Sequence, residues 1–358
     1  MHPEAIALPD THPLRDGRTS ASRLVRAARG ERQSPPPVWF MRQAGRSLPE
    51  YRASRAGTEM LDACLTPELA SEITLQPVRR HGVDAAVFFS DIVIPVLLAG
   101  VDVRIVSGRG PVLDSPIRSA SDVLALRPME PDALAPISEA VALTVAELGS
   151  TPLIGFGGAP YTLASYLIEG GPSKEQQRSR ALMRTDPQTW ATLLNWCADV
   201  TGAFLRAQVL AGASVVQLFD SWAGSLSRDD YVRRVAPHSK RAFDHLRGLD
   251  VPRIHFGLGM GDMLDSAARV GADVVGIDWR LPLDEANRRL GGSMPLQGNI
   301  DPALLGAPWP ILERHVLDVI ERGSEAPAHI LNLGHGVPPE TDPDALTRIV
   351  ELVHGLER

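Results

Sequence analysis

Four arginines stand close together near the start of the chain, at Arg42, Arg46, Arg52 and Arg55, and Glu50 is the single acid among them. A guanidinium group binds a carboxylate through two parallel hydrogen bonds, and several guanidinium groups that converge can bind a polyanion. The segment therefore predicts a site for a substrate with several carboxylates. The residues alone leave one alternative open, a surface loop whose arginines pair with nearby acids.

A single acid, Asp91, follows the apolar run Val87-Phe88-Phe89. A buried strand would carry this carboxylate to the mouth of the fold, where its desolvation is costly unless the charge is used. Three uses fit: binding a metal, acting as an acid or base, or accepting hydrogen bonds from N–H groups of a substrate. A structural role remains open, either capping the next helix or pairing with an arginine of the first loop.

A histidine between two glycines, His335, comes near the end of the chain. The glycines allow the backbone to bring the imidazole close to a bound molecule, as a ligand or a hydrogen-bond donor. Pro338 and Pro339 lack N–H groups at the place where a phosphate-binding loop would need them, which argues against bound phosphate. A purely structural histidine is the alternative.

Other motifs give little support to nucleotide or metal binding. The stretch 257–261 is rich in glycine, but Asp262 takes the place of the last glycine in a dinucleotide-binding motif, so a tight turn explains it better. Neither lysine, Lys174 or Lys240, follows a glycine as a Walker-type loop requires. The sequence has no HExxH helix, EF-hand loop or paired CxxC motif, so it predicts no metal site.

The elements that must position these residues are short apolar runs separated by helical patterns. Four acid-proline or threonine-proline pairs mark helix starts, because the first residue can cap the helix and proline fits its first turn. Eight alternating strands and helices favour a (β/α)8 barrel of the TIM type over an open doubly wound sheet, with its active site at the carboxyl ends of the strands. The predicted strands cover residues 37–41, 85–89, 152–156, 214–218, 253–257, 273–277, 294–298 and 329–333.

The predicted domain organisation is simple. We expect a flexible leader over residues 1–22 and a single barrel domain over residues 23–358, with an insertion at about residues 100–136 after the second strand. Cys197 lies on the apolar stripe of a long helix and is expected in the core.

Composition limits the class of protein. The 358 residues are 44% hydrophobic, and 36 basic against 43 acidic residues give a formal charge of −7. This balance excludes a disordered chain and gives no general attraction to nucleic acid or to an anionic membrane. The two cysteines fit neither a disulfide framework nor a zinc cluster, which favours the reducing cytoplasm, and no run approaches the roughly 18 apolar residues of a spanning helix.

The sequence Pro37-Val38-Trp39-Phe40-Met41-Arg42-Gln43-Ala44-Gly45-Arg46 closely resembles the first signature of the uroporphyrinogen decarboxylase family. Further stretches resemble the same family in the same order, from Ala27 to the carboxyl end: 48–52, 89–92, 158–160, 162–163, Tyr166, 169–171, 297–299 and 332–336. The resemblance implies a single-domain distorted barrel that works as a homodimer without cofactor or metal. It also implies that uroporphyrinogen III loses CO2 from four acetate side chains and becomes coproporphyrinogen III.

The resemblance also implies a set of substrate-binding residues: Arg42, Gln43, Arg46, Arg55, Asp91, Tyr166, Ser221 and His335. Among them we expect Asp91, Arg42 and Tyr166 to be catalytic. In this hypothesis an ionised Asp91 accepts the pyrrole N–H groups and stabilises a ring cation, while Arg42 holds the reacting acetate. Tyr166, Ser221 and His335 are expected to bind acetates and propionates.

Four positions depart from the family pattern: Ser47, Tyr161, Pro172 and Arg280. None of them removes an expected site residue, so we expect activity with some change in the shape of the pocket. Two other functions remain open. One is a corrinoid or thiol methyltransferase on a related barrel, and the other is a tetrapyrrole carrier without turnover.

Overall fold

The computed structural model describes residues 7–45 and 47–356. Its main sheet has seven parallel strands in the order β1-β4-β5-β6-β7-β8-β9, and β2 and β3 form a separate antiparallel hairpin. The strands are β1 (Ala86–Val87), β2 (Arg104–Val106), β3 (Gly110–Val112), β4 (Leu153–Gly158), β5 (Val215–Asp220), β6 (Arg253–Gly257), β7 (Val274–Gly276), β8 (Leu296–Ile300) and β9 (His329–Leu333). Seven of the eight predicted strands are therefore confirmed, and no strand end differs from its predicted position by more than two residues.

Helices separate the strands of the main sheet, as the alternating pattern predicts. The α-helices of the described residues are α1 (Arg23–Ala28), α2 (Pro49–Ser54), α3 (Met60–Leu65), α4 (Pro67–His81), α5 (Ile94–Leu98), α6 (Ala120–Leu124), α7 (Ala135–Leu148), α8 (Pro160–Glu169), α9 (Gln177–Thr185), α10 (Pro187–Leu210), α11 (Arg228–Arg234), α12 (Ala236–Asp244), α13 (Leu264–Ala268), α14 (Leu283–Arg289), α15 (Trp309–Gly323) and α16 (Pro343–Gly355). Short 3₁₀ helices cover Pro131–Leu134, Ala223–Ser225, Gly261–Met263 and Pro302–Gly306.

The first predicted strand, residues 37–41, is extended but forms only an isolated parallel bridge between Val38 and Leu331 of β9. On its other side, the carbonyl of Val38 accepts the N–H of Asp84 at 2.9 Å, just before β1. The segment therefore lies between the two edges of the seven-stranded sheet. The result is a distorted (β/α)8-type barrel in which one strand is reduced to a few contacts.

Side-chain amides tie this segment to the sheet where backbone bonds are few. Asn332 Oδ1 accepts the N–H of Met41 at 3.0 Å, and the indole N–H of Trp39 donates to Gln297 Oε1 at 3.2 Å. Gln297 in turn donates to Gln217 Oε1 at 2.8 Å, and all these side chains are buried. A line of polar contacts across the barrel interior thus replaces part of a backbone ladder.

The predicted helix starts are confirmed, with one local difference. Helices begin at Pro67, Pro187, Pro302 and Pro343, and the preceding aspartate caps three of them through its side chain. Thr66 does not cap the fourth, because its hydroxyl donates to the carbonyl of Asp62 instead.

Both cysteines are buried and unpaired, each within a different hydrophobic cluster. Cys64 lies in α3 and Cys197 in α10, so the expected core position of Cys197 is confirmed. Burial raises the pKa of the Cys197 thiol well above its ordinary value. The thiolate form, which binds metals and attacks electrophiles, is therefore strongly disfavoured there.

The described part of the expected leader, residues 7–22, packs against the barrel. Leu8 and Leu14 belong to the main hydrophobic cluster. The ring Nε2 of His12 lies 3.0 Å from the carbonyl of Val209, and Thr19 Oγ1 lies 2.8 Å from Ser214 Oγ. A few apolar side chains in a polar stretch thus attach this segment to the barrel. Residues 1–6 lie outside the described residues.

The expected insertion at about residues 100–136 contains the β2–β3 hairpin and α6. The hairpin belongs to neither edge of the main sheet. The segment stays attached to α8, because the N–H groups of Leu113 and Ile117 donate to the carbonyls of Gly170 and Leu167. Within the described residues, no helix is both long and apolar enough to cross a membrane.

Candidate active site

The carboxyl ends of the parallel strands bring the sequence-predicted site residues to one end of the barrel. Asp91 follows β1, Ser221 follows β5, and His335 follows β9. Tyr166 lies on α8, the helix that follows β4, and Arg42 directly follows the extended segment 37–41. The charge of Arg42 alters the pKa of Asp91, Tyr166 and His335. The Arg42 guanidinium group therefore lies near all three side chains.

Arg42 has a left-handed backbone conformation, with φ of 62°. A residue with a Cβ atom adopts this conformation at a cost, so the surrounding structure must impose it. The aliphatic part of its side chain packs against Gly336, where a Cβ atom would lie 2.5 Å from Cδ of Arg42. The loop after the last strand thus fixes the position of the Arg42 guanidinium group.

Gln43 holds the turn on which Arg42 stands. Its Oε1 accepts the N–H of Phe40 at 2.9 Å, and its Nε2 donates to the carbonyl of Ala85 at 2.9 Å. The side chain is fully buried, so it ties the first segment to the start of β1. Both ends of the amide are occupied by the backbone, and the structure does not place them toward the mouth of the barrel.

Asp91 is a carboxylate in a desolvated position. Burial raises its pKa, while the N–H of Val93, the charge of Arg42 and the N–H of Ile92 act in the opposite direction. The bond from Val93 to Oδ1 measures 3.0 Å, and it turns the chain into the short helix α5. The bond closes a turn before α5 and uses one oxygen of the carboxylate, but it does not cap the helix, because the N-cap residue of α5 is Val93 and receives no side-chain cap.

Tyr166 is a neighbour of both charged groups. Burial and then the negative charge of Asp91 raise the pKa of Tyr166 to about 12, so the phenol stays protonated at neutral pH. Its ring meets the ring of Trp222 edge to face, with centroids 5.9 Å apart. Ser221 directly precedes Trp222 at the end of β5, and no side-chain hydrogen bond of Ser221 is found among the described residues.

His335 is neutral at physiological pH. Burial, then the positive charges of Arg42 and Arg280, lower its pKa to about 4, against a smaller opposite effect of Asp278. A neutral imidazole donates one hydrogen bond and accepts one. The ring also meets Trp279 nearly at right angles, with centroids 6.4 Å apart.

Two expected site residues remain, Arg55 and Arg46. Arg55 donates from Nη1 to the carbonyl of Thr58 at 3.0 Å and lies over the ring of Tyr51. It lines a shallow pocket of about 430 Å³ together with Tyr51, Thr58 and Glu59. The charges of Arg55 and Asp91 both act on the thiol of Cys64, so Arg55 belongs to the same side of the barrel as Asp91. Arg46 lies outside the described residues.

The structure also adds residues that the sequence analysis did not select. Asp278, Trp279 and Arg280 follow β7, and both charged residues act on His335. All three directly follow the predicted strand 273–277, so their position in the sequence is a signal of the same kind as that of Asp91 and His335. Trp222 shows no sequence signal beyond its place after Ser221.

Two further expectations have a clear outcome in the structure. The glycine-rich stretch 257–261 forms a turn after β6, where the N–H of Gly259 donates to Asp278. Tyr161 is a core residue, because it is buried against Trp190 and its hydroxyl lies 3.2 Å from Ser225 Oγ. Among the described residues, no group of three or more His, Cys, Asp and Glu side chains is placed to hold a metal ion.

Fold and site together define a barrel with a buried carboxylate, a neutral phenol, a neutral imidazole and at least two guanidinium groups at the carboxyl ends of its strands. Residues 19–356 match the family described as uroporphyrinogen decarboxylase (URO-D). A protein of Arthrobacter sp. (strain FB24) named uroporphyrinogen decarboxylase is 66% identical over 341 residues, or 95% of this chain and 99% of that protein. One of Leifsonia xyli subsp. xyli (strain CTCB07) with the same name is 60% identical over 98% of each chain. The chain belongs to the uroporphyrinogen decarboxylase family.

Similarity to solved structures supports the fold. A methyltransferase from Methanosarcina mazei matches with a TM-score of 0.80 over 95% of this chain and 99% of that chain, at 17% sequence identity. A B12-independent methionine synthase from Shewanella sp. W3-18-1 matches with a TM-score of 0.53 over 80% and 87%, at 11% identity. At such identities the likeness shows a shared barrel and carries no information about the reaction.

Proposed function

We propose that this protein is a carboxy-lyase that removes CO2 from the four acetate side chains of uroporphyrinogen III and gives coproporphyrinogen III. The observation that carries the proposal is the position of Asp91, a desolvated carboxylate next to Arg42 and Tyr166 at the mouth of the barrel. Membership of the uroporphyrinogen decarboxylase family supports the choice of substrate.

The charge of the substrate explains the arginines. Uroporphyrinogen III carries four acetates and four propionates, so an acidic protein needs a local concentration of cations to bind it. The charge of Arg42 acts on three other site residues, Asp91, Tyr166 and His335. Arg46 and Arg55 come from the same segment of the sequence. Because a guanidinium group stays protonated and forms paired hydrogen bonds, it suits several carboxylates that must leave water together.

The chemistry requires an electron sink. Protonation of a pyrrole ring carbon gives a cation, and the bond to the carboxylate then breaks with its electron pair moving into the ring. The exposed methylene takes up a proton and the ring carbon releases one. Each acetate therefore consumes one proton, releases one CO2 and leaves one methyl group.

Asp91 acts in this scheme as the counter-charge. Its carboxylate accepts hydrogen bonds from the pyrrole N–H groups, and its negative charge stabilises the ring cation as it forms. Burial alone favours the protonated acid, as the raised pKa shows. Hydrogen bonds from the pyrrole N–H groups favour the ionised form, so substrate binding counteracts the effect of burial.

The other side chains bind and position the substrate. Arg42 holds the reacting acetate, and because the pKa of an arginine exceeds about 12, a water molecule or a carboxyl group of the substrate is the proton donor. Tyr166, Ser221 and His335 donate hydrogen bonds to acetates and propionates. We assign Gln43 to holding the turn of Arg42, since both ends of its amide already bind the backbone.

The family resemblance also carries the proposed assembly and location, a homodimer in the cytoplasm that works without cofactor or metal. Light scattering of the purified protein tests the assembly. A mass of one chain would contradict the homodimer without affecting the proposed reaction.

The activity is tested by anaerobic incubation of chelator-dialysed protein with uroporphyrinogen III, followed by oxidation and separation of products by the number of carboxylates. We expect species with seven, six, five and four carboxylates in turn. Asp91→Asn, prepared in parallel, is the control against a contaminating enzyme. Binding without any product would instead support the carrier function, and absence of both would return the methyltransferase to consideration.

A further inference from the structure

The residues after β7 form a second cationic group at the mouth of the barrel. The charge of Arg280 acts on His335, and the Arg280 side chain remains 51% exposed. The resemblance to the family does not account for it, because a small residue is expected at this position.

Arg280 is held in place rather than free. The buried carboxylate of Asp278 accepts the backbone N–H of Arg280 at 2.9 Å and its Nη1 at 2.8 Å. The guanidinium group also stacks on the indole of Trp279, with Cζ 4.0 Å from the ring centroid. Among the described residues, no acceptor forms a hydrogen bond with its Nε or Nη2, so these donors remain for a ligand.

Trp279 connects this group to the last strand. A Cβ atom at Gly334 would clash with the backbone nitrogen of Trp279, so the segments after β7 and β9 are in direct contact. The indole ring also contacts the ring of His335. One indole therefore supports the guanidinium group of Arg280 and packs beside the imidazole.

Two cations act on His335. Arg42 packs on Gly336, directly after His335, and Arg280 stacks on the neighbouring Trp279. Both charges disfavour protonation of the imidazole. The nearby Asp278 offsets part of this charge, but its oxygens are already occupied by the N–H groups of Arg280 and Gly259. This arrangement of donors is suited to a carboxylate.

We propose that Arg280 is a substrate-binding residue of this chain and that it binds a propionate side chain. The inference rests on the proposed function. Acetates must reach the region of Asp91 and Arg42, because they react there. Arg280 is half-exposed at the rim, and a propionate, which is longer than an acetate by one methylene, extends further from the macrocycle. Its carboxylate is also never lost in the reaction, so a fixed contact can orient every intermediate.

The test uses coproporphyrinogen III, which keeps the four propionates and has no acetates. Its binding under anaerobic conditions, measured by equilibrium dialysis and fluorescence after oxidation, isolates the propionate contacts from turnover. We expect Arg280→Gln to raise the Kd about 10-fold, as for the loss of one charge-assisted hydrogen bond. The KM for uroporphyrinogen III should rise by a similar factor, with kcat changed less than about two-fold.

Arg348→Gln is a matched control. Arg348 also stacks on an indole, with Cζ 4.0 Å from the ring centroid of Trp309, but it lies on α16 away from the candidate active site. We expect this variant to bind coproporphyrinogen III as the unmodified protein does. Arg280→Lys should restore part of the affinity, because it keeps the charge but not the planar fork.

A double variant distinguishes the loss of a ligand contact from a disturbance of the loop that carries Asp278 and Arg280. Arg280→Gln leaves the buried carboxylate of Asp278 without its partner charge, and this could disturb the loop. If Asp278→Asn combined with Arg280→Gln restored the affinity, the effect would come from Asp278 and the inference would be wrong. An unchanged Kd in Arg280→Gln would also overturn it. A raised KM for uroporphyrinogen III with an unchanged Kd for coproporphyrinogen III would assign Arg280 to an acetate and overturn the propionate contact.

Failure of the proposed function looks different. In that case the unmodified protein itself would neither bind coproporphyrinogen III nor convert uroporphyrinogen III, and the inference would fall with it. A melting temperature within about 2 °C of the unmodified protein confirms that each variant is folded.

Discussion

The side chain of Arg42 lies on Gly336, so closely that a Cβ atom at Gly336 would be 2.5 Å from Cδ and 2.7 Å from Cγ of the arginine. These two residues come from opposite ends of the chain, and they meet because segment 37–41 pairs with β9. The absence of a side chain at position 336 therefore decides where the guanidinium group can lie.

Gly336→Ala is expected to displace Arg42 without unfolding the protein. Its backbone does not need a left-handed conformation, since φ at this position is not positive. We expect kcat/KM for uroporphyrinogen III to fall about 10- to 100-fold, because a misplacement of about 1 Å is enough for such losses. Steady-state kinetics measures the fall, and the free energy of unfolding should change by less than about 1 kcal/mol.

Gly306→Ala provides the control, because a Cβ atom there meets nothing within 4 Å. This variant should keep full activity. If Gly336→Ala kept full activity as well, the contact with Gly336 would not determine the position of Arg42.

Most of the fold follows from the sequence, and the exception has a physical reason. The strands of the sheet are buried on both faces, so they are readable as short apolar runs. The run 37–41 has the same apolar pattern, but Pro35 and Pro36 precede it and Pro37 begins it, and none of the three has an N–H group to donate to a ladder. The segment is extended, and Asn332 and Gln297 supply side-chain contacts that the apolar pattern does not reveal.

The site is less completely predicted, because residue type does not tell where a polar side chain points. Gln43 lies in the most specific motif, yet its amide binds the backbone of Phe40 and Ala85. Arg280 was visible in the sequence as a departure, but its relation to His335 depends on how β7 and β9 are placed in the barrel. Burial of Leu8 and Leu14 could not be predicted from their polar surroundings.

Asp91→Asn tests the electrostatic part of the mechanism. An amide of the same shape cannot stabilise a ring cation, so we expect kcat to fall about 10²- to 10³-fold. Binding of coproporphyrinogen III should be less affected than kcat. Near-normal turnover by this variant would contradict the role of Asp91 in catalysis, and a change in affinity alone would leave it a binding residue.

The pH dependence of activity tests whether catalysis requires the ionised form of Asp91. Burial raises its pKa, so activity that needs the ionised form should be lost as pH falls through a value above that of an ordinary aspartate, about 3.9. A profile of kcat/KM for the free enzyme measures this acid limb. His335, with a pKa of about 4, also becomes charged at low pH. The limb should therefore persist in His335→Gln if Asp91 is its main source.

Asn332→Leu tests how the reduced strand is held. The variant removes the acceptor for the N–H groups of Met41 and Leu333, and a buried unpaired N–H costs about 1–3 kcal/mol. We expect the free energy of unfolding in urea to fall by about this amount. Activity should fall further than the fraction of unfolded protein explains, because Met41 directly precedes Arg42. Asn195→Leu, which removes a contact with His238 instead, should cost less.

The stability of the barrel at mildly acidic pH depends on His329 of β9. Its Nε2 lies 2.8 Å from the carbonyl of Gly298, and burial lowers its pKa to about 4, whereas an exposed histidine in the unfolded chain has a value near 6.5. Between these two values the unfolded state binds more protons, so stability is complete above pH 6.5 and is lost as pH falls toward 4. From pH 7.5 to 5, this group alone should lower the free energy of unfolding by roughly 2 kcal/mol.

His329→Gln keeps a donor for Gly298 but cannot titrate, so its free energy of unfolding should decrease less over the same pH range. Urea unfolding at pH 7.5 gives the packing cost of the substitution, and the same measurement at pH 5 isolates the titration. The difference in free energy of unfolding between the two proteins should be smaller at pH 5 than at pH 7.5. The decrease in this difference should equal the titration effect of roughly 2 kcal/mol. Parallel curves for the two proteins would mean that His329 is protonated in the folded barrel, which contradicts the buried neutral ring bound to Gly298.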